Sequence, residues 1–224
     1  MEIAPYIDHT ILKPTTTFED ISKLCAEAVE HRFAAVCVPP YFVKAAKEMT
    51  EESEVKVATV IGFPFGYCSL GAKMEDIAQA IEDGADELDM VHNVTALKDG
   101  NYTLLTDEIG QCTRVVHEAG KSIKVIIESG VLGDEEIVKC CELYAPLGID
   151  FMKTSTGYAD KGASIPAVQL MRKHRPASIE IKASGGIRTF AFAKELVDAG
   201  ATRIGCSASL QIVKESREHL GIGN

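Results

Sequence analysis

Two lysines stand in runs where a buried strand should carry apolar side chains. Lys153 lies within Asp150-Phe151-Met152-Lys153-Thr154-Ser155-Thr156-Gly157, and Lys182 within Ile179-Glu180-Ile181-Lys182-Ala183-Ser184-Gly185-Gly186. Both runs close in hydroxyl residues and glycine. An ammonium is rarely buried without a partner, because removing the charge from water is expensive. A second ammonium nearby, together with burial, favours the neutral amine. That matters for chemistry, since a free lysine with a pKa of ~10.4 is almost wholly cationic at neutral pH. A neutral amine attacks a carbonyl to form an imine, and the protonated imine accepts the electrons of an adjacent breaking carbon–carbon bond. Asp89, in Glu87-Leu88-Asp89-Met90-Val91, is the candidate for moving protons, directly or through a water. The competing reading is a buried Lys153–Asp89 ion pair with no chemistry, which leaves the second lysine unexplained.

The elements that must position these residues follow from periodicity. Strand-type runs fall at residues 3–12, 34–38, 55–63, 87–91, 123–127, 151–156, 179–183 and 203–207, separated by apolar residues at helical spacing. Thr17 with Asp20 three residues on reads as an N-cap before the first helix. Alternation of the two periods along the whole chain predicts a parallel α/β fold, and eight units in 224 residues predict a (β/α)8 TIM barrel, a single domain over residues 1–224. A weak repeat sharpens this. Gly84-Ala85-Asp86, Gly148-Ile149-Asp150 and Gly200-Ala201-Thr202 each end a helix and open a strand. Five residues beyond each glycine come Asp89, Lys153 and Gly205, on strands four, six and eight. Barrel interiors are layered from alternate strands, so the three are expected at one depth across the lumen. Alternation along the strands also turns Glu87, Asp89, Lys153, Glu180, Lys182 and Ser184 inward.

Ser184-Gly185-Gly186 and Gly205-Cys206-Ser207 lie at the carboxyl ends of the last two strands, where such barrels commonly hold a phosphate on backbone N–H groups. Thr156 and Gly157, which close the Lys153 run, are included as candidate phosphate contacts. Arg188 either adds charge there or simply starts the next helix. Asp8 and His9 are expected near the mouth, and Lys124 with Glu128 is read as an ion pair supporting the lysines.

The totals exclude several classes. A net charge of −10 without a basic block disfavours nucleic acid and anionic membranes as partners. No apolar run approaches the ~20 residues of a membrane span, and Met1 is followed by Glu2 and Pro5 without a signal-type leader. Seven cysteines, an odd number without a Cys-x-x-Cys pair, suggest a reducing cytoplasm rather than a disulfide framework. The scattered histidines lack ligand spacing, so neither a metal nor another cofactor is expected.

The chain resembles the deoxyribose-phosphate aldolases over most of its length. The resemblance runs through Ile7-Asp8-His9-Thr10, Val60-Ile61-Gly62-Phe63-Pro64, Gly84 to Val91 and Lys124-Val125-Ile126-Ile127-Glu128. It is most specific in Phe151 to Gly157 and in Lys182-Ala183-Ser184-Gly185-Gly186-Ile187-Arg188-Thr189. It implies a class I, metal-independent aldolase that reversibly cleaves 2-deoxy-D-ribose 5-phosphate to D-glyceraldehyde 3-phosphate and acetaldehyde. By position, Lys153 is implied as the Schiff-base lysine, Lys182 as the lysine that perturbs it, and Asp89 as the proton donor and acceptor. Gly185, Gly186, Gly205 and Ser207 match the family's phosphate site. A cytoplasmic role in deoxyribonucleotide catabolism, and a homodimer, are further implications.

Some residues depart from the family pattern. His92 precedes Asn93 where an apolar residue is usual, and Phe65-Gly66-Tyr67-Cys68-Ser69 follows Gly-Phe-Pro. Tyr158 stands where some members carry a lysine, and the chain ends Gly221-Ile222-Gly223-Asn224 without the C-terminal tyrosine of others. These bear on phosphate affinity, acceptor range and turnover rather than on reaction class. Two other readings stay open: a related barrel enzyme, aldolase or isomerase, with a different sugar phosphate, and a non-catalytic sugar-phosphate sensor.

Overall fold

The computed structural model describes residues 1–221. Its strands are β1 (Ile7–Thr10), β2 (Ala35–Val38), β3 (Lys56–Ile61), β4 (Glu87–Val91), β5 (Ser122–Ile126), β6 (Phe151–Lys153), β7 (Glu180–Ser184) and β8 (Arg203–Cys206). Each pairs in parallel with its sequence neighbours and β8 closes on β1, the (β/α)8 barrel expected from the periods. The helices are α1 (Phe18–His31), α2 (Val43–Thr50), α3 (Leu70–Glu82), α4 (Val94–Lys98), α5 (Tyr102–Glu118), α6 (Asp134–Tyr144), α7 (Ile165–His174), α8 (Phe190–Ala199) and α9 (Ser209–His219). At the start of α1 the Thr17 hydroxyl accepts from the Asp20 N–H while the Asp20 carboxylate accepts from the Thr17 N–H. The C-terminal tail singled out above falls, for Ile222 to Asn224, outside the described residues.

Most strand ends fall within two residues of expectation, but two strands are markedly shorter and one helix is unexpected. The first strand is shorter than residues 3–12, because Ala4–Tyr6 forms a 3₁₀ turn around Pro5, which lacks the N–H a ladder needs. The sixth ends at Lys153 rather than residue 156. Beyond it Ser129, past the end of β5, donates to the Thr154 carbonyl at 2.7 Å, and the Thr156 N–H turns to the Glu128 carboxylate. The short α4 was not expected, since five residues cannot display an apolar helical period. It forms because Asn93 caps it, accepting from the Ala96 N–H at 3.0 Å.

Pairing register and strand tilt sort the inward side chains into layers. In an eight-stranded barrel a level path advances about two residues for every two strands crossed. The observed pairings then place Cys37, Asp89, Lys153 and Gly205 in one layer, from even strands. Asp8, Ala58, Lys124 and Lys182 form the layer below, and Ala35, Glu87, Phe151 and Arg203 the lowest. The common depth of Asp89, Lys153 and Gly205 is therefore a property of the register. Outward residues of the same strands, among them Val36, Leu88, Met90, Val125, Met152 and Ile181, are fully buried against the helices.

One buried ion pair lies outside the lumen. Lys73 of α3 meets Glu108 of α5 at 2.7 Å and also donates to the Val91 carbonyl at 2.8 Å, so two helices are tied to the end of β4. Removing only the lysine leaves a carboxyl group buried without its counter-charge. Lys73→Met is accordingly expected to destabilise the fold by about 3 kcal/mol, measured as a lower midpoint in urea unfolding.

Candidate active site

Asp89 sits at the centre of the lumen because β4 alternates, sending Leu88 and Met90 to the helices and Asp89 inward. Three ammonium groups converge on its carboxylate. Lys153 Nζ donates to Oδ2 at 2.8 Å, Lys182 Nζ to the same oxygen at 2.6 Å, and Lys124 Nζ to Oδ1 at 2.8 Å. Lys182 also meets Asp8 Oδ2 at 2.5 Å. Asp8, Asp89, Lys124 and Lys182 are completely buried, whereas Lys153 is 2% exposed and faces the cavity above. Gly205 leaves room for this: a Cβ there would stand 3.0 Å from Lys182 Cε.

The arrangement separates the two lysines electrostatically. Burial would push the Asp89 carboxyl up, but the ammonium groups of Lys124, Lys153 and Lys182 hold it well below the usual carboxylate range. For Lys153, burial is the largest influence and lowers it; Asp89 opposes that, and Lys182 lowers it further. Burial acts against Lys182 as well, yet Asp8 and then Asp89 outweigh it and raise that ammonium well above the ordinary lysine range. Asp8 is itself held down at about 2, the cations Lys182 and Arg203 overcoming its burial. Lys153 is thus the amine most ready to be neutral, and Lys182 the one that keeps its proton.

A cavity of about 760 Å³ opens over Lys153 at the carboxyl ends of the strands, and Thr156, Gly157, Gly185, Gly186, Gly205 and Ser207 all line it. Gly185 and Gly186 adopt φ of 88° and 77°, left-handed values that let successive backbone N–H groups turn together. Helices α8 and α9 begin just past the two turns, so their N-terminal ends favour an anion nearby. Arg188 is exposed on the same rim. Gly162, which no sequence signal singled out, braces the first turn from outside. A Cβ on Gly162 would fall 2.2 Å from the Gly185 carbonyl oxygen, and the next N–H, of Ala163, donates to Ser184 and Gly185 carbonyls at 3.0 and 3.1 Å.

Several expected placements are corrected. Lys124 does not pair with Glu128; it binds Asp89 and, at 2.6 Å, Glu87. Glu128 lies beyond the end of β5 with a left-handed backbone, φ 52°, which carries its side chain out of the lumen to the Thr156 hydroxyl and N–H. Thr156 therefore lines the cavity with those donors already engaged. Asp8 is not at the mouth but in the middle layer. His9, its neighbour on an alternating strand, does line the cavity as expected, and bonds Glu27 of α1 at 2.8 Å. Glu180 is half-buried at the start of β7 and takes no part in the cluster. Tyr158 spans the cavity edge, donating to the Leu12 carbonyl at 2.8 Å and standing edge-on to Phe63. Arg203 was missed; its parity with Gly205 on β8 was the signal that places it inward.

A parallel eight-stranded barrel with polar, cationic side chains gathered below the carboxyl ends of its strands is an enzyme architecture. The profile of the DeoC/LacD family of aldolases matches residues 3–215. The chain is 51% identical over 219 residues to a deoxyribose-phosphate aldolase of Thermococcus gammatolerans, covering 97% of each, and 52% identical over 215 residues to one of Thermococcus kodakarensis, covering 95% and 96%. Among solved structures, a putative deoxyribose-phosphate aldolase from Coccidioides immitis superposes with a TM-score of 0.92 at 40% identity, covering 96% of this chain and 86% of that one. A tetrameric deoxyribose phosphate aldolase from Aeropyrum pernix gives 0.90 at 30% identity, covering 97% and 92%. The chain belongs to the DeoC/LacD aldolase family. Among the described residues no helix is long and apolar enough to cross a membrane.

Proposed function

We propose that the chain is a class I aldolase cleaving 2-deoxy-D-ribose 5-phosphate reversibly to D-glyceraldehyde 3-phosphate and acetaldehyde, through an imine on Lys153. The observation that carries this reading is one carboxylate oxygen, Asp89 Oδ2, shared by Lys153 and Lys182 beneath an open cavity. A binding barrel has no use for two amines on one oxygen. A reaction through an imine needs one neutral amine and one retained proton.

The neutral Nζ of Lys153 adds to the aldehyde carbon of the open-chain sugar, and the carbinolamine takes up a proton and loses water to give the iminium. The C3 hydroxyl then loses its proton towards Asp89, directly or through a water, and the C2–C3 bond breaks with its electrons drawn into the iminium. D-Glyceraldehyde 3-phosphate departs. The enamine regains a proton at C2, and water returns acetaldehyde and the free amine. Lys182 stays charged throughout, holding Asp89 in place and keeping the potential around Lys153 positive. The Gly185-Gly186 and Gly205-to-Ser207 turns, with Gly157, receive the phosphate. Thr156 shapes that wall through its bond to Glu128. No metal or cofactor enters this scheme. Residues 1–224 act as one barrel domain, as a homodimer, and the free cysteines accord with a reducing cytoplasm.

Borohydride trapping in the presence of deoxyribose 5-phosphate tests the reading. A stable adduct confined to the Lys153 peptide is the expected result. A folded protein that binds the sugar phosphate yet yields no adduct would be a sensor rather than an enzyme.

A further inference from the structure

Beneath the reacting lysines the lumen carries charges that the scheme above does not use. Arg203, at the start of β8, donates from Nη1 to Asp8 at 2.7 Å and to Glu87 at 2.9 Å, and from Nη2 to Glu87 at 3.1 Å. Glu87 is also met by Lys124 at 2.6 Å. Together with the Asp89 contacts, these bonds close a ring of alternating sign that runs Asp8, Arg203, Glu87, Lys124, Asp89, Lys182 and back to Asp8. Each carboxylate touches two cations of the ring and each cation two of its carboxylates, and Asp89 takes Lys153 as a third. The ring is neutral by itself. Lys153 hangs outside it, with a single ion contact, to Asp89.

Among the described residues of the three layers, four cations, Lys124, Lys153, Lys182 and Arg203, therefore face three carboxylates, Asp8, Glu87 and Asp89. Excess charge in a buried site is expensive and is relieved most readily by releasing a proton. A guanidinium cannot release one in a protein, and Lys124 and Lys182 are each held by two carboxylates. What remains is Lys153, which also faces the cavity. We propose that Arg203 is a positioning residue for the reaction: by completing the ring from below, it makes Lys153 the one lumen cation without a carboxylate of its own. This role rests on the imine reading of Lys153. Arginine suits the place because its planar fork spans two carboxylates at once. The Phe151 ring, 5.4 Å from the guanidinium and 5.7 Å from Lys124 Nζ, fills the space beside both.

Other groups facing the pair are few. Arg203 meets Asp8 from β1, Glu87 from β4 and Phe151 from β6, and is the register partner of Lys182 on β7. Lys153 meets Asp89 from β4, is the register partner of Lys182, and shares its layer with Cys37 of β2. Burial pushes the Cys37 thiol up, so it stays neutral and out of the charge count.

Charge-changing variants test the role because their predicted effects have opposite signs. Arg203→Met leaves three cations for three carboxylates, so Lys153 becomes a required counter-charge. The acid limb of the kcat/KM–pH profile, and the pH at which borohydride traps half of the enzyme, should both move up by about one unit. Glu87→Gln leaves two excess cations and should move both down by about one unit. Combining the two substitutions restores a single excess and should return the profile to that of the wild type. Arg203→Lys keeps the charge and should keep the profile, even where kcat falls. If Arg203→Met does not fold, Glu87→Gln and Arg203→Lys still decide. A limb that stays put or moves upward in Glu87→Gln, or shifts in Arg203→Lys as far as a lost charge would, overturns the role of Arg203. A wild-type enzyme that gives no Lys153 adduct overturns the imine reading, and this role with it.

Discussion

Lys153→Ala is expected to lower turnover of deoxyribose 5-phosphate by about 10⁴-fold or more, the scale seen when a covalent nucleophile is removed. The barrel should stay folded. Lys153 is the outermost of the lumen cations and opens to the cavity, so alanine there leaves a space that water can enter rather than a dry void. Asp89 keeps Lys124 at 2.8 Å and Lys182 at 2.6 Å, so no buried carboxylate is left without a counter-charge. Two measurements belong together here, the steady-state rate of acetaldehyde release and the unfolding midpoint. A folded variant that kept even one per cent of the wild-type rate would place the covalent step elsewhere.

The second large effect is on pH dependence. Lys182→Leu removes the ammonium that shares Asp89 Oδ2 with Lys153. Asp8 retains Arg203 at 2.7 Å, so the variant does not strand a bare carboxylate. Lys153 loses a neighbour that disfavours its charge, while Asp89 is left to attract it more strongly. Both changes raise the Lys153 pKa from its lowered position. The reactive form is the neutral amine, so each unit of increase lowers its population at neutral pH tenfold. A shift of about two units, within the usual range for one close charge, predicts roughly a 100-fold loss of kcat/KM at pH 7, recovered progressively as the pH is raised. The profile between neutral and strongly alkaline pH checks this. Loss without any displacement of the acid limb would mean that Lys182 acts by geometry or proton transfer alone.

These predictions draw on different kinds of information. Lys153, Lys182 and Asp89 were legible in the chain because a charged residue in a strand-period run conflicts with its surroundings, and such conflicts mark function. The (β/α)8 barrel was legible because the periods alternate throughout and a glycine closes the helix before each of β4, β6 and β8. Even the common depth of Asp89, Lys153 and Gly205 followed from counting five residues, since rise per residue along a strand is nearly constant.

Partners were another matter. Lys124 and Glu128 share one run and look like a pair, yet Lys124 reaches β4, and Glu128 turns out of the lumen to Thr156. Asp8 and His9 are adjacent, but one enters the charge cluster and the other bonds a helix. Gly162 presses on Gly185 from a loop whose path has no signature. Sequence by itself therefore determined that Asp89, Lys153 and Lys182 face the lumen and that Asp89, Lys153 and Gly205 share one height, because side-chain direction and rise are local properties of a strand; it misplaced Asp8 and did not single out Arg203. Only the tertiary structure decided who holds whom. The ring from Asp8 through Arg203, Glu87, Lys124 and Asp89 to Lys182 joins five strands, and its closure depends on strand tilt and the relative register of β1, β4, β5, β7 and β8, which no single stretch of chain encodes.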